Sequence, residues 1–131
     1  IENDIRALEV GNRGADHFLY IGTEAGALYK ANLRFLDQQP ISMYRFDSYI
    51  RDIHLDGYNR VWVATYGRGV YSFMDRDNQV AELENFTGDP DRKHQLSNSH
   101  TSDLYPDKSG IIWVGTDNGL NKLIEPMHGF K

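Results

Sequence analysis

The chain has 131 residues, 40% of them hydrophobic and 12% aromatic, and a formal net charge of −5. That composition suits a folded globular chain and argues against a phosphate-binding surface, so no nucleic acid is expected as a partner. With no cysteine in the chain, disulfides, thiol nucleophiles, Cys-type zinc sites and iron–sulfur clusters are excluded.

The predicted elements, taken in chain order, fall into three units. The first opens with a leader at residues 5–10 and a turn within residues 11–16. A core strand Phe18-Leu19-Tyr20-Ile21-Gly22-Thr23 follows, then a Gly-containing loop, a second apolar stretch, and a fourth strand at residues 41–46. In the second unit, residues 50–55, 60–65, 70–74 and 80–86 read as four short strands. Asp56-Gly57-Tyr58-Asn59 supplies the turn after the leader. The third unit has its leader at residues 101–107, a turn at Asp107-Lys108-Ser109-Gly110, and the core strand Ile111-Ile112-Trp113-Val114-Gly115-Thr116. Its fourth strand is missing from the pattern, and the unit reads as incomplete.

The units align on their threonines, with 42 residues from Thr23 to Thr65 and 51 from Thr65 to Thr116. One hydrophilic insertion at residues 87–99 accounts for the longer interval. Four antiparallel strands at a period of about 40–50 residues are the grammar of a β-propeller blade. The expected fold is therefore all-β, a propeller fragment of about three four-stranded blades at residues 1–48, 49–99 and 100–131. Tyr20, Trp62 and Trp113 are equivalent and are expected to fill the wedge between blades. Gly22, Ala64 and Gly115 leave room for a neighbouring backbone. Three blades would leave two apolar faces open, to be covered by further blades or by self-association.

Residues 96–122, Leu96-Ser97-Asn98 through Trp113-Val114-Gly115-Thr116 to Gly119-Leu120-Asn121-Lys122, resemble the two-component regulator propeller repeat. That repeat has a Leu-Ser-Asn start, an Asp-x-x-Gly turn, Trp-Ile-Gly-Thr and Gly-Leu-Asn-Arg. The second unit departs from it at Ala64 and Tyr66, the first at Tyr20 and in the turn at residues 11–16. The resemblance implies the periplasmic region of a hybrid two-component sensor, in which propellers precede an immunoglobulin-like domain, a membrane helix and a histidine kinase. It also implies an oligosaccharide ligand, and the remaining blades and domains of the parent chain as partners. The chain begins at Ile1 without a visible signal peptide, and targeting information is expected outside it. No run of apolar residues is long enough for a membrane helix, so no membrane contact is expected of this segment.

No motif of catalysis occurs, and the segment is read as non-enzymatic, without cofactor or metal. The five histidines lack ligand spacing, and His54 reads as a strand-surface or packed residue. The carboxylate pairs Asp75/Asp77 and Asp89/Asp91 fall in predicted loops and read as turn residues. In a four-stranded meander, the loops after the second strands and the blade-to-blade loops emerge on one face. That face would collect Tyr66 and Arg68, Asp117 and Asn118, and Arg92 and His94 from the insertion. Aromatic and planar polar groups together suit sugar recognition; the alternative is a set of solvated turns. A propeller lyase or glycosidase, or a protein-interaction scaffold, are the competing readings.

Overall fold

The computed structural model describes residues 4–88 and 96–124. These form three antiparallel sheets, each a sequential meander. The first contains β1 (Ile5–Arg13), β2 (Asp16–Thr23), β3 (Ala27–Asn32) and β4 (Ile41–Arg45). The second contains β5 (Ile50–Leu55), β6 (Arg60–Thr65), β7 (Val70–Arg76) and β8 (Gln79–Phe86). In the third, β9 (Thr101–Pro106), β10 (Ile111–Thr116) and β11 (Gly119–Ile124) are described.

The repeated Asp and Thr positions have physical jobs. Asp56 Oδ1 accepts the backbone N–H groups of Tyr58 and Arg60, and its Oδ2 accepts the indole N–H of Trp62 at 2.8 Å. Asp107 does the same for Ser109, Ile111 and Trp113, again at 2.8 Å to the indole. Each Asp thus closes the turn and holds the aromatic of the following strand. The fourth turn residue, Asn59 or Gly110, takes the left-handed conformation with φ of 65° or 93°. In the first sheet Gly11 stands in this Asp position, and Tyr20 stands in place of Trp. A Cβ at Gly11 would lie 2.5 Å from the Phe18 ring. The two departures from the repeat are therefore coupled: without an indole N–H, no acceptor is required at residue 11.

The threonines bind their own hairpins. Thr65 Oγ1 donates to Gly69 O at 2.7 Å and accepts the Arg68 N–H at 3.1 Å. Thr23 and Thr116 make the corresponding loop contacts to Ala27 and to Gly119 and Asn118. Each hairpin loop is thereby tied to its Thr hydroxyl, at loop positions that differ with the length of the loop.

Each sheet packs face to face on the next, with β5 against β1 and β2, and β9 against β5 and β6. One apolar cluster joins Phe18, Tyr20 and Leu28 to Ile50, Ile53, Val61, Val63 and Phe73. A second joins Trp62, Ala64, Val70 and Phe86 to Leu104, Ile112 and Val114. Tyr20 and Trp62 are fully buried between sheets, whereas Trp113 is only half-buried, on the open face of the third. The close approach at Gly22 comes from side chains, not from backbone: a Cβ there would meet Ile50 Cγ2 at 2.5 Å. The segment at 87–99 is not wholly hydrophilic in role, because Leu96 is buried in the second cluster.

Asp75 corrects the reading of a loop carboxylate pair. It lies in β7, buried, where Lys30 Nζ approaches at 2.7 Å and the Tyr20 hydroxyl donates at 2.6 Å. Burial pushes its carboxyl up, but Lys30 and Tyr20 outweigh this and hold it below the usual carboxylate value. The hydroxyl that Tyr20 has in place of an indole therefore serves an ion pair joining the first two sheets. Asp89 and Asp91 lie outside the described residues.

Candidate ligand-binding face

The three Thr-containing strand ends lie at the same edge of the molecule as the starts of β1, β5 and β9. The pairs Ile5↔Thr23, Ile50↔Thr65 and Thr101↔Thr116 fix this. The residue after each Thr then donates its backbone N–H to the residue preceding the inner strand. Glu24 bonds Asp4, Tyr66 bonds Tyr49, and Asp117 bonds His100, at 2.9–3.1 Å. One backbone device, used three times, presents Glu24, Tyr66 and Asp117 in a row along the face.

Side chains connect this row across sheets. The Tyr66 hydroxyl donates to Asp117 Oδ2 at 2.7 Å, although 51 residues separate them. That bond raises the phenol above its ordinary value, so Tyr66 stays neutral and keeps its proton for the hydrogen bond. The His100 ring lies 4.6 Å from the Tyr66 ring, and an isolated bridge joins their backbones. Gly67 and Gly69 both donate to Ser99 O, tying the Tyr66–Arg68 loop to the entry of the third sheet. On the other side, the Arg51 guanidinium carbon sits 5.2 Å from the Tyr66 centroid and 5.0 Å from that of Tyr49. Arg6 extends the sequence, 6.0 Å from Tyr49 and ion-paired to Glu24 at 2.9 Å.

Of the residues singled out from sequence, Tyr66 and Asp117 meet directly. Arg68 is exposed on the same loop, held by its backbone and by Asn85, whose amide donates to Arg68 O. Asn118 is exposed one residue beyond Asp117, its carbonyl accepting from Ser97 Oγ. Arg92 and His94 lie outside the described residues. Tyr49, Arg51 and His100 were not singled out. A signal existed, since Arg6 and Arg51 occupy the same leader position in their units.

Two other polar features lie elsewhere. His54, in β5, stands between Asp52 at 3.3 Å and Glu9 of the first sheet at 3.7 Å. These two carboxylates raise its pKa to about 10, so the imidazolium ties inner strands together at neutral pH. Glu9 and Asp52 each also accept a backbone N–H from the following inner strand, of Leu55 and Leu104. A cleft of about 360 Å³ opens at the opposite end of the first two sheets, lined by His17, Lys30, Asn32, Gln38 and Asn78. Among the described residues, no group of three or more His, Asp or Glu could hold a metal ion, and no helix is long and apolar enough to cross a membrane.

The model of the two-component regulator propeller family matches residues 44–67 and 95–118. Each match begins six residues before β5 or β9 and takes in that strand, the Asp turn and the next strand up to the residues after Thr; β1 to β3, with Gly11 and Tyr20, are unmatched. Among solved structures, the chain is similar to the extracellular domain of a B. thetaiotaomicron protein described as a hybrid two component system, BT4673. The TM-score is 0.73 and the identity 23%, over 90% of this chain and 15% of that one. A second such domain from B. thetaiotaomicron, BT3049, gives a TM-score of 0.69 at 25% identity over 92% and 15%. PorZ, a surface component of the type-IX secretion system of Porphyromonas gingivalis, gives 0.68 at 24% over 92% and 17%. The chain therefore spans about 15% of the length of the hybrid-system domains it resembles. No curated protein matches it. The fold is that of consecutive β-propeller blades.

Proposed function

Because the chain carries two-component regulator propeller repeats, we propose that it is a ligand-sensing segment in the extracytoplasmic domain of a hybrid two-component regulator. Its location is then the periplasm, as part of an inner-membrane protein, and its ligand an oligosaccharide released from a larger glycan. The observation that carries the binding assignment is the meeting of Tyr66, His100 and Asp117 from two sheets on one face. An aromatic surface edged by a carboxylate and an imidazole offers a ring to stack on a sugar and partners for its hydroxyls. Arg68 and Asn118 lie beside them in the chain; Arg92 and His94, also candidates from the sequence, are outside the described residues. The segment contributes binding, not turnover, and passes its signal through the other blades and domains of its parent chain.

A panel of glycan oligosaccharides offered to the intact protein tests this. Binding without hydrolysis or elimination, lost in the Tyr66→Ala/Arg68→Ala pair, supports the sensor. Turnover of a polysaccharide would replace it with an enzyme. Binding untouched by the paired substitution would remove this face from the account. A surface scaffold is the second reading, favoured by the fold shared with PorZ and by apolar residues exposed on the outer sheets, Leu8, Val10 and Leu120 among them.

A further inference from the structure

Arg6 and Arg51 occupy equivalent positions, each following the first residue of its inner strand. Glu24 and Tyr66 occupy the equivalent loop positions opposite them, each following the hairpin Thr. In the first sheet the pair is complete: Arg6 Nη2 and Nε both reach Glu24 Oε1, at 2.9 and 3.3 Å. In the second sheet the carboxylate is replaced by Tyr66, whose hydroxyl turns away to Asp117. Arg51 is left flanked by two aromatic rings, exposed, and among the described residues it makes no ion pair.

The geometry points to Arg51 as the anchor for an acidic group of the ligand. We infer that the sensed oligosaccharide is anionic, and that its carboxylate or sulfate plays toward Arg51 the part that Glu24 plays toward Arg6. This rests on the sensor reading given above and names the ligand class for the same face. Three physical reasons support it. A guanidinium presents a planar fork of donors that matches an oxyanion bidentately, which a tyrosine hydroxyl engaged elsewhere cannot offer. Contacts with Tyr49 and Tyr66 restrict the guanidinium in advance and leave less freedom to lose on binding. The Tyr66 ring, 40% exposed and pinned by its bond to Asp117, lies next to the anion position, where the sugar ring would sit. Asp117 adds a requirement of its own: a ligand approaching Arg51 with its acid must present hydroxyl donors, not a second acid, toward Asp117.

Calorimetric titration of the intact protein with three probe sets tests the inference: uronate oligosaccharides, sulfated oligosaccharides, and neutral counterparts including carboxyl-reduced uronates. The expected result is a preference for one anionic set over its neutral counterpart of about tenfold or more. Arg51→Gln should abolish that preference while leaving weak binding of neutral sugars, and Arg51→Lys should restore it in part. The carboxylate and sulfate arms tell which anion is recognised. Equal binding of neutral and anionic sugars, or an anionic preference unchanged in Arg51→Gln, would overturn the inference and leave the sensor standing. Absence of binding to every set would overturn both.

Discussion

Asp56 and Asp107 show how one residue can set both a turn and a core. Each carboxylate takes up turn N–H groups with one oxygen and an indole N–H with the other. Asp56→Ala would leave the N–H of the fully buried Trp62 without its acceptor, at a cost of about 2 kcal/mol. Urea denaturation should show that loss, and Trp62→Phe in the same chain should recover part of it, since Phe has no N–H to satisfy. An unchanged midpoint for Asp56→Ala would contradict the assignment. For Asp107, the Ser109 hydroxyl and then the Trp113 indole hold the carboxyl at about 2. A depressed carboxyl contributes stability above its unfolded value near 3.9, and the contribution is lost as pH falls through about 2. His54 works in the opposite sense. Raised to about 10 by Asp52 and then Glu9, it contributes fully below its ordinary value of about 6.5. That contribution fades as pH rises through about 10. Stability measured from pH 6 to 10.5 should therefore decline more steeply in the wild-type chain than in His54→Gln; parallel curves would contradict the ion pairing.

At the scale of elements, the same strand position tells which faces are covered. Gly22 is packed by Ile50 and Ile53 of the next inner strand, at 2.5 and 3.0 Å from a built Cβ, whereas the nearest atom to one at Gly115 is 3.8 Å away. Gly22→Val should cost about 1–3 kcal/mol through overpacking, while Gly115→Ala in this chain should be close to neutral. Thermal unfolding of the two variants decides it, and equal losses would contradict the packing described. Much of this level was legible in the sequence, because each unit repeats the same grammar. β5 and β6 begin and end at the residues that alternation and the Asp turn indicated. The turn of the first unit was less legible: β1 runs on to Arg13, leaving Gly14 and Ala15 between it and β2. No Asp marks that turn, so its position could not be read from the repeat. Contacts between sheets were the least legible. Tyr66 meets Asp117, and Glu9 meets His54, only through the angle at which one sheet lies on the next. Asp75 was read as a turn residue because its partner Lys30 lies 45 positions away.

The whole molecule presents one polar, aromatic face, built from three equivalent loops, and two apolar flanks. Ile5, Leu8 and Val10 are exposed on the outer side of the first sheet, and Tyr105 and Leu120 on the third. Exposed apolar surface of this kind marks places where other protein packs, and in the proposed parent it is taken up by further blades. The face bearing Tyr66 would then form one sector of a larger ring, with the ligand drawing on more than the residues present in this chain. Orientation is the premise on which all of this depends, since an oligosaccharide outside the cytoplasm can be sensed only by a domain that is also outside. The most direct test follows the native protein in its source cells with an antibody to this chain, combining fractionation with protease added from the periplasmic side. The account predicts a large membrane-bound polypeptide whose propeller region is cleaved from that side. A soluble chain of single-propeller size, or a region protected within the cytoplasm, would contradict it.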